Sequence, residues 1–236
     1  MSTQRTNPDP ESENPLRERT VVFVAYPQMG LLDLTGAQTV LWAASCRLAQ
    51  LGLPGYALHT ASLHGGPVQT GEGLVVQTRR LDELSGEPIN TLIVPGSASI
   101  RQAMLDNAPL VDWLRVTSAT ASRTTSVCSG AFFLAQAGLL DGLRVATHWL
   151  MADTFERLFP KVELDREAIF VRQASVWTSA GVSAGIDLAL ALVEADNGRD
   201  VAMQVARRMV VYYRRPDNQE QWSPLLHSQH SIALER

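Results

Sequence analysis

TTSVCSGAFFL, at residues 124–134, is the stretch of sequence that decides the fold. Its first four residues are β-type and predict a buried strand, while the apolar run after Gly130 predicts a helix that starts with no long loop before it. Small residues between the two permit a tight backbone turn. This is the layout of a nucleophile elbow, in which the corner side chain projects at the carboxyl end of a strand, where open α/β sheets place their sites. The corner residue here is Cys128.

Cys128 is a candidate nucleophile because of this position. A thiol at a helix N-terminus is expected to have a lowered pKa, since the helix dipole and free N–H groups stabilise the thiolate. The backbone N–H of Ser129 is a candidate oxyanion donor, and the turn Pro95-Gly96-Ser97 is a candidate source of a second one. The alternative is a buried cysteine that packs as a small apolar side chain. Cys46 lies within a predicted helix and fits that alternative.

The rest of the chain alternates between strands and helices. Beyond the elbow, predicted strands span 21–25, 56–62 and 91–94, and predicted helices span 34–51, 100–121 with a break near Pro109, 149–159, 183–195 and 200–213. Strand pairs are predicted within 68–78 and within 168–179. Such alternation predicts a mostly parallel central sheet with helices on both faces, which is a three-layer α/β sandwich. We expect one domain over residues 19–215.

Composition and the N-terminus argue against several functions. A net charge of −4 and a pI near 5.7 are not typical of a chain that binds nucleic acid by itself. Residues 1–18 are polar and Pro-containing, so we expect them to be disordered rather than to form a secretory signal. No apolar run approaches the roughly 18 residues of a membrane span, and we expect a cytoplasmic protein with no membrane partner. No His/Cys cluster has the spacing of zinc ligands, so we expect neither a metal nor a cofactor.

Four ordered motifs resemble those of the ThiJ/PfpI superfamily. They are LLDLTG at 31–36, SVCSG at 126–130 with its continuation AGLLDG at 137–142, ATHW at 146–149, and SAGVSAGID at 179–187. The superfamily is related in fold to class I glutamine amidotransferases, so the resemblance implies a flavodoxin-like sandwich. Two branches are similar to this chain. One is isocyanide hydratase, which adds water to an isocyanide to give an N-formamide, and the other is the sensor domain of GlxA-like regulators in the AraC group.

The resemblance also implies roles for the matched residues. Cys128 matches the nucleophile, and Asp33 matches the acidic residue that hydrogen-bonds to it and could donate a proton. Taken alone, Asp33 would also suit an N-terminal cap of the helix expected near residue 34. His148 could form a Cys–His pair, although the resemblance favours a structural or pocket-lining role. Asp187 is expected to be structural, in the first turn of a helix.

Two residues depart from the superfamily's pattern. Many relatives carry Pro-Gly-Gly where this chain has Pro95-Gly96-Ser97. Because Ser97 has a Cβ and tolerates a positive φ less well than glycine, the case for a second oxyanion donor at this turn is weaker. Ser129 stands where isocyanide hydratase has threonine, and this milder change keeps the hydroxyl.

The C-terminal segment favours the regulator branch. Residues 205–216 (VARRMVVYYRRP) and the following stretch to 223 resemble the end of a GlxA-type sensor domain and its exit linker, so we expect a linker or tail over 216–236. Arg214 and Arg215 are interpreted as a solvated helix face near the C-terminal dipole rather than as a DNA-binding patch. The helix-turn-helix domain expected to follow the sensor is not found before Arg236.

These patterns lead to three hypotheses. The first is a sensing domain that binds a small molecule over Cys128, forms a homodimer as relatives do, and contacts DNA only through a helix-turn-helix domain outside this chain. The second is an enzyme in which Cys128 attacks an electrophilic carbon and Asp33 transfers a proton, with isocyanide hydration as the nearest reaction. The third is redox or electrophile sensing by a thiol of low pKa.

Overall fold

The computed structural model describes residues 17–84, 86–217, 219–221 and 223. Apart from Arg17 and Glu18, the predicted disordered segment lies outside the described residues, as does most of the predicted tail at 216–236. Among the described residues, no helix is long and apolar enough to cross a bilayer.

An eight-stranded sheet forms the centre of the domain. Its strands are β1 (Arg19–Val24), β2 (Tyr56–Ser62), β3 (Gly66–Gln69), β4 (Val75–Arg80), β5 (Thr91–Val94), β6 (Arg123–Val127), β9 (Phe170–Gln173) and β10 (Val176–Ser179). A separate parallel pair is formed by β7 (Arg144–Val145) and β8 (Glu163–Leu164). The order across the large sheet is β3-β4-β2-β1-β5-β6-β10-β9, and all neighbours are parallel except the edge strands β3 and β9.

The central strands are buried on both faces. In β1 and β5, the runs Val21–Val24 and Thr91–Val94 contain no residue more than 1 % exposed. Continuous apolar runs of this kind are typical of parallel strands that helices cover on both sides. The sequence of these two strands therefore favours the middle of the sheet, which is where they lie.

Seven helices among the described residues cover the sheet. They are α1 (Leu31–Gln50), α2 (Ile100–Asp106), α3 (Ala108–Thr117), α4 (Ala131–Gln136), α5 (Ala152–Leu158), α6 (Ala184–Asn197) and α7 (Arg199–Arg208). Helices α1, α6 and α7 pack against one another, and α2, α3 and α4 form a second group. The sheet with its two helical layers confirms the predicted α/β sandwich.

Helix α7 is shorter than the sequence predicts. The expected helix runs to residue 213, whereas α7 ends at Arg208. Val210 has a φ of +56°, and the N–H groups of Val210 and Val211 donate to the carbonyls of Arg207 and Ala206. These two bonds form a Schellman motif, which ends a helix with a left-handed residue that is usually glycine. The sequence does not indicate this helix end, because the left-handed residue is a valine and a β-branched residue rarely adopts a positive φ.

Candidate functional site

Cys128 lies at a strained corner between β6 and α4. Its φ is +58°, in the left-handed region, which costs a non-glycine residue about 1–2 kcal/mol. A single 3₁₀ turn, Cys128–Gly130, joins the strand to the helix. Gly130 is needed in that turn because a Cβ there would lie only 2.1 Å from the Val94 carbonyl oxygen. The corner therefore carries the half-buried Cys128 at the carboxyl end of β6.

Two glycines let neighbouring loops close around this cysteine. A Cβ added to Gly181, which has a φ of +98°, would lie 2.2 Å from the Cβ of Cys128 and 2.5 Å from its Cα. A Cβ added to Gly96 would lie 2.8 Å from the Cβ of Cys128 and 2.7 Å from the backbone nitrogen of Ser129. The loops after β5 and β10 thus approach the corner more closely than any residue with a side chain would permit.

Asp33 is the carboxyl group that meets Cys128. It lies in the first turn of α1 and is 5 % exposed. Its Oδ1 accepts a hydrogen bond from the backbone N–H of Val182 at 2.8 Å, its Oδ2 accepts one from the N–H of Gly96 at 3.1 Å, and the thiol of Cys128 also hydrogen-bonds to it. Asp33 is therefore not an N-terminal cap, and the N–H of Leu31 is bound instead by the carboxylate of Glu72, at 2.9 and 3.1 Å.

The Cys128 thiol is neutral at physiological pH, contrary to the expectation of a lowered pKa. Burial, the largest cause, and the adjacent carboxyl of Asp33 together raise its pKa to about 12, against a smaller lowering effect of the hydrogen bonds from Ser129. Burial also raises the pKa of Asp33, against the lowering effect of its hydrogen bonds from Val182 and Gly96. The largest cause is the same for both groups: burial disfavours the charged form of each acid.

The two serines next to the site bind each other. The hydroxyl of Ser129 accepts a hydrogen bond from the backbone N–H of Ser97 at 2.9 Å and donates one to the carbonyl of Ser97 at 2.8 Å. The hydroxyl of Ser97 donates to the carbonyl of Gln28 at 2.6 Å. Since the N–H of Gly96 is bound by Asp33, both amides of the Gly96-Ser97 turn already have acceptors. The backbone N–H of Ser129, the first predicted oxyanion donor, hydrogen-bonds to Cys128.

A cavity of about 320 Å³ opens over Cys128. Of the predicted site residues, it is lined by Cys128, Asp33, Ser97, Ser129 and His148; Gly96 packs behind it. Further lining residues, which the sequence did not predict, are Gly30, Leu32, Glu72, Ala98, Leu150, Met151 and Val182. The cavity thus combines an apolar wall with a few convergent polar groups, as small-molecule sites do.

His148 lines the cavity, and among the described residues no hydrogen bond joins its side chain to Cys128. Its Nδ1 accepts a hydrogen bond from the backbone N–H of Leu150 at 3.3 Å, so a neutral ring carries its proton on Nε2. Burial lowers its pKa, which keeps the ring neutral. A pocket-lining role agrees with this geometry better than a Cys–His pair.

A hydrogen-bond path leads from Cys128 to the C-terminal segment. The hydroxyl of Thr147 donates to the carbonyl of Cys128 at 3.0 Å. The side-chain amide of Gln221 donates to the carbonyl of Thr147 at 3.0 Å, and its oxygen accepts from the N–H of Trp149 at 3.1 Å. Residue 220 also forms an antiparallel bridge with Ala168. The segment 219–221 is thereby fastened to the loop that carries His148.

The two arginines after α7 are engaged in ion pairs rather than forming a helix face. Arg215 donates to Asp187 through its backbone N–H at 3.0 Å and its Nε at 2.8 Å, and Arg214 forms an ion pair with Glu194. The interpretation of these residues as a solvated helix face is wrong, because α7 ends at Arg208. Asp187 anchors the C-terminal segment to the first turn of α6, a structural role.

Comparisons with known proteins agree with this fold. Isonitrile hydratase of Pseudomonas putida is 34 % identical over 183 residues, which are 78 % of this chain and 74 % of that protein. The HTH-type transcriptional regulator CdhR of Pseudomonas aeruginosa is 30 % identical over 199 residues, which are 84 % of this chain and 57 % of the regulator. The HTH-type transcriptional regulator GlxA of Rhizobium meliloti is 32 % identical over 184 residues, or 78 % of this chain and 55 % of the regulator. The chain therefore spans little more than half the length of these regulators.

Two solved structures have the same fold. A ThiJ/PfpI family protein from Pseudomonas syringae superposes with a TM-score of 0.74 at 23 % identity, over 99 % of this chain and 92 % of that one. An AraC family transcriptional regulator from Pseudomonas putida superposes with a TM-score of 0.70 at 22 % identity, over 81 % of this chain and 99 % of that one. The family model described as "DJ-1/PfpI family" matches residues 19–195. Because that match covers well over half of the sequence, the chain belongs to the DJ-1/PfpI family.

Proposed function

We propose that this chain is a small-molecule sensing domain of the type found in GlxA-like regulators of the AraC group, with its ligand in the cavity over Cys128. The observation that carries the proposal is the path from Cys128 through Thr147 to Gln221. A sensor needs its pocket to be mechanically connected to the segment that leaves the domain, and this path is such a connection. Helix-turn-helix regulators among the relatives support the same assignment.

The chemistry of the cavity suits binding better than turnover. A nucleophilic thiol must be available as thiolate, yet burial and Asp33 hold the pKa of Cys128 at about 12. An anionic intermediate would need preorganised donors, yet the amides of Gly96 and Ser97 donate to Asp33 and Ser129. The neutral thiol and the carboxyl of Asp33 are better placed to hydrogen-bond a ligand.

Calorimetric titration with a panel of small nitrogen-containing metabolites tests the proposal. Leu32→Trp places a large ring at the cavity, while Leu105→Trp makes the same change at an exposed leucine of α2 outside it. We expect saturable binding of at least one compound by the wild type and by Leu105→Trp, and its loss in Leu32→Trp. Cys128→Ala should keep the fold. No saturable binding by the wild-type protein across the panel would reject the sensing assignment.

The relay is tested by hydrogen exchange with the compound found in that panel. The backbone N–H of Gln221 donates to the carbonyl of Glu167 at 2.7 Å, so its exchange rate reports on the attachment of the exit segment. We expect ligand to change this rate in the wild type, and to change it much less in Gln221→Ala. If the ligand binds but does not change the hydrogen-exchange rates of residues 219–221, the proposed relay is rejected although the ligand site remains.

A second candidate function is isocyanide hydration. The 34 % identity to isonitrile hydratase and the hydrogen-bonded pair of Cys128 and Asp33 favour it. The sulfur would add to the terminal isocyanide carbon while the pair's proton passes to that carbon, giving a thioimidate. Water would then add to the same carbon, the C–S bond would break, and the thiol would regain a proton as the N-formamide leaves. Each turnover consumes one isocyanide and one water.

Incubation with an aryl isocyanide, followed by chromatography for the formamide, tests this second function. We expect any formamide production to disappear in Cys128→Ala and to persist in Cys46→Ala, because Cys46 lies in α1 away from the cavity lining. Formamide production that survives Cys128→Ala unchanged would exclude the thiol mechanism. If the wild type binds metabolites but produces no formamide, sensing is the only one of the two functions that remains.

Two further parts of the proposal concern assembly and location. We propose a homodimer in the cytoplasm, and sedimentation equilibrium of the full chain tests the dimer directly. Redox sensing is not proposed, because it requires a thiol of low pKa and the pKa of Cys128 is raised.

A further inference from the structure

A second cavity, of about 540 Å³, lies beside α7 and the segment that follows it. It shares no lining residue with the cavity over Cys128. Five arginines line it: Arg172, Arg199, Arg207, Arg214 and Arg215. We call this cavity the arginine cleft.

Three of the five arginines have carboxylate partners. Arg172 pairs with Asp217 at 3.3 Å, and Arg214 and Arg215 pair with Glu194 and Asp187 as described above. Among the described residues, Arg199 and Arg207 have no such partner. The cleft therefore holds two guanidinium groups in excess of its carboxylates, one at each end of α7.

The floor of the arginine cleft is apolar. Phe170, Ala191 and Ala206 line it and are each no more than 4 % exposed. Tyr212 and Tyr213 stand at its rim and are 104 % and 64 % exposed. They are presented there by the left-handed Val210, which turns the chain sharply at the end of α7. An apolar floor under a cationic, aromatic rim matches a ligand with an apolar body and an anionic group.

We propose that the arginine cleft is a binding site for a small organic anion, with the phosphate or carboxylate group held by Arg207 and the apolar body packed against the floor. Arg199, at the other end of α7, adds a further positive charge to the cleft. Guanidinium groups suit both anions because their parallel N–H donors match two oxygens at once. The volume of about 540 Å³ lies within the range of small-molecule sites. This site is independent of the proposed ligand over Cys128.

Calorimetric titration at low ionic strength with three probes tests the assignment. Phenyl phosphate and benzoate carry the two candidate anionic groups on one apolar ring, and benzyl alcohol is their neutral counterpart. We expect saturable binding of phenyl phosphate or benzoate, with the stronger of the two identifying the preferred group, and at least tenfold weaker binding of benzyl alcohol. In Arg207→Gln, affinity for the preferred anion should fall roughly tenfold, since a charge-assisted hydrogen bond is lost.

Arg101→Gln is the matched control. Arg101 is an exposed arginine of α2 outside the cleft, and its removal changes the net charge by the same amount. We expect Arg101→Gln to bind as the wild type does and Arg199→Gln to weaken binding less than Arg207→Gln does, with all three variants retaining the wild-type circular dichroism spectrum. The proposal is overturned if neither anion binds, if benzyl alcohol binds equally well, or if Arg101→Gln weakens binding as much as the cleft variants.

Discussion

Replacing Gly181 by alanine should destabilise the protein strongly, because the new methyl group has no room beside Cys128. The added Cβ would lie 2.2 Å from the Cβ of Cys128, 2.5 Å from its Cα and 2.8 Å from its backbone nitrogen. Two of these three atoms belong to the main chain, so rotating a side chain cannot relieve the clash. Either the loop after β10 or the strained corner itself must move.

The size of the effect follows from two contributions. A positive φ costs alanine about 1–2 kcal/mol relative to glycine, and overpacking in a well-packed region costs about 1–3 kcal/mol more. A total of about 2–5 kcal/mol corresponds to a fall in Tm of about 4–20 °C for a protein of this size. Gly138→Ala is the control: Gly138 has a φ of +75° but nothing within 4 Å of its added Cβ, so only the first contribution applies.

Thermal unfolding followed by circular dichroism, together with urea titration, measures both variants against the wild type. We expect Gly181→Ala to lose clearly more stability than Gly138→Ala, and any soluble Gly181→Ala protein to show an altered rate of Cys128 alkylation. If the two variants lose equal stability, the loop after β10 does not press on Cys128, and the packing described for the site is wrong.

Three further results are expected. Asp33→Asn leaves either the N–H of Val182 or the N–H of Gly96 without its acceptor and should cost about 1–3 kcal/mol in urea unfolding. The same variant should lower the pKa of Cys128 in alkylation assays because a negative charge is removed, and an unchanged pKa would contradict this. Ser129→Ala removes both bonds to Ser97 and should cost about 1–3 kcal/mol, whereas an unaltered urea midpoint would show that these bonds contribute nothing. Above pH 9 the wild type should lose stability relative to Cys128→Ala, because the unfolded thiol, with its lower pKa, releases its proton first; parallel pH–stability curves would refute it.

The central strands could be predicted from the sequence because their pattern is local. The predicted bounds 56–62 and 91–94 are those of β2 and β5. Gly55 marks the start of the first segment and Pro95 the end of the second, and both segments have the length of a strand rather than of a helix. The end of α7 could not be predicted in the same way, since it depends on a valine adopting the conformation of a glycine, and tertiary contacts of Arg214 and Arg215 support the chain that follows.

The site was predicted only in part. The resemblance of the motifs predicted that Asp33 and Cys128 lie next to each other, although they are far apart in sequence. Glu72 was missed: it lies at the tip of the β3–β4 hairpin, and only the folded hairpin places its carboxylate at the start of α1. The only sequence signal for Glu72 was that a charged residue lies between the two turn glycines Gly71 and Gly73.

The pKa of the thiol was predicted with the wrong sign for a quantitative reason. A helix dipole contributes about 0.3–1 kcal/mol at an exposed site, which is less than one pKa unit. Burial shifts a pKa by up to about 3–5 units, and the Asp33 carboxyl acts in the same direction on Cys128. The helix here is also short, since α4 has six residues. Burial at position 128 is a property of the whole fold and is not visible in the elbow motif.

The most direct test of a binding site with a neutral thiol is the pH dependence of alkylation at Cys128. Iodoacetamide rates would be measured from pH 6 to pH 10 in Cys46→Ala, where Cys128 is the only thiol. With a pKa of about 12, the rate should rise roughly tenfold per pH unit across the whole range, without a plateau. A plateau beginning near neutral pH would mean that the sulfur is already a thiolate, and a catalytic cysteine would then be the better account of this site.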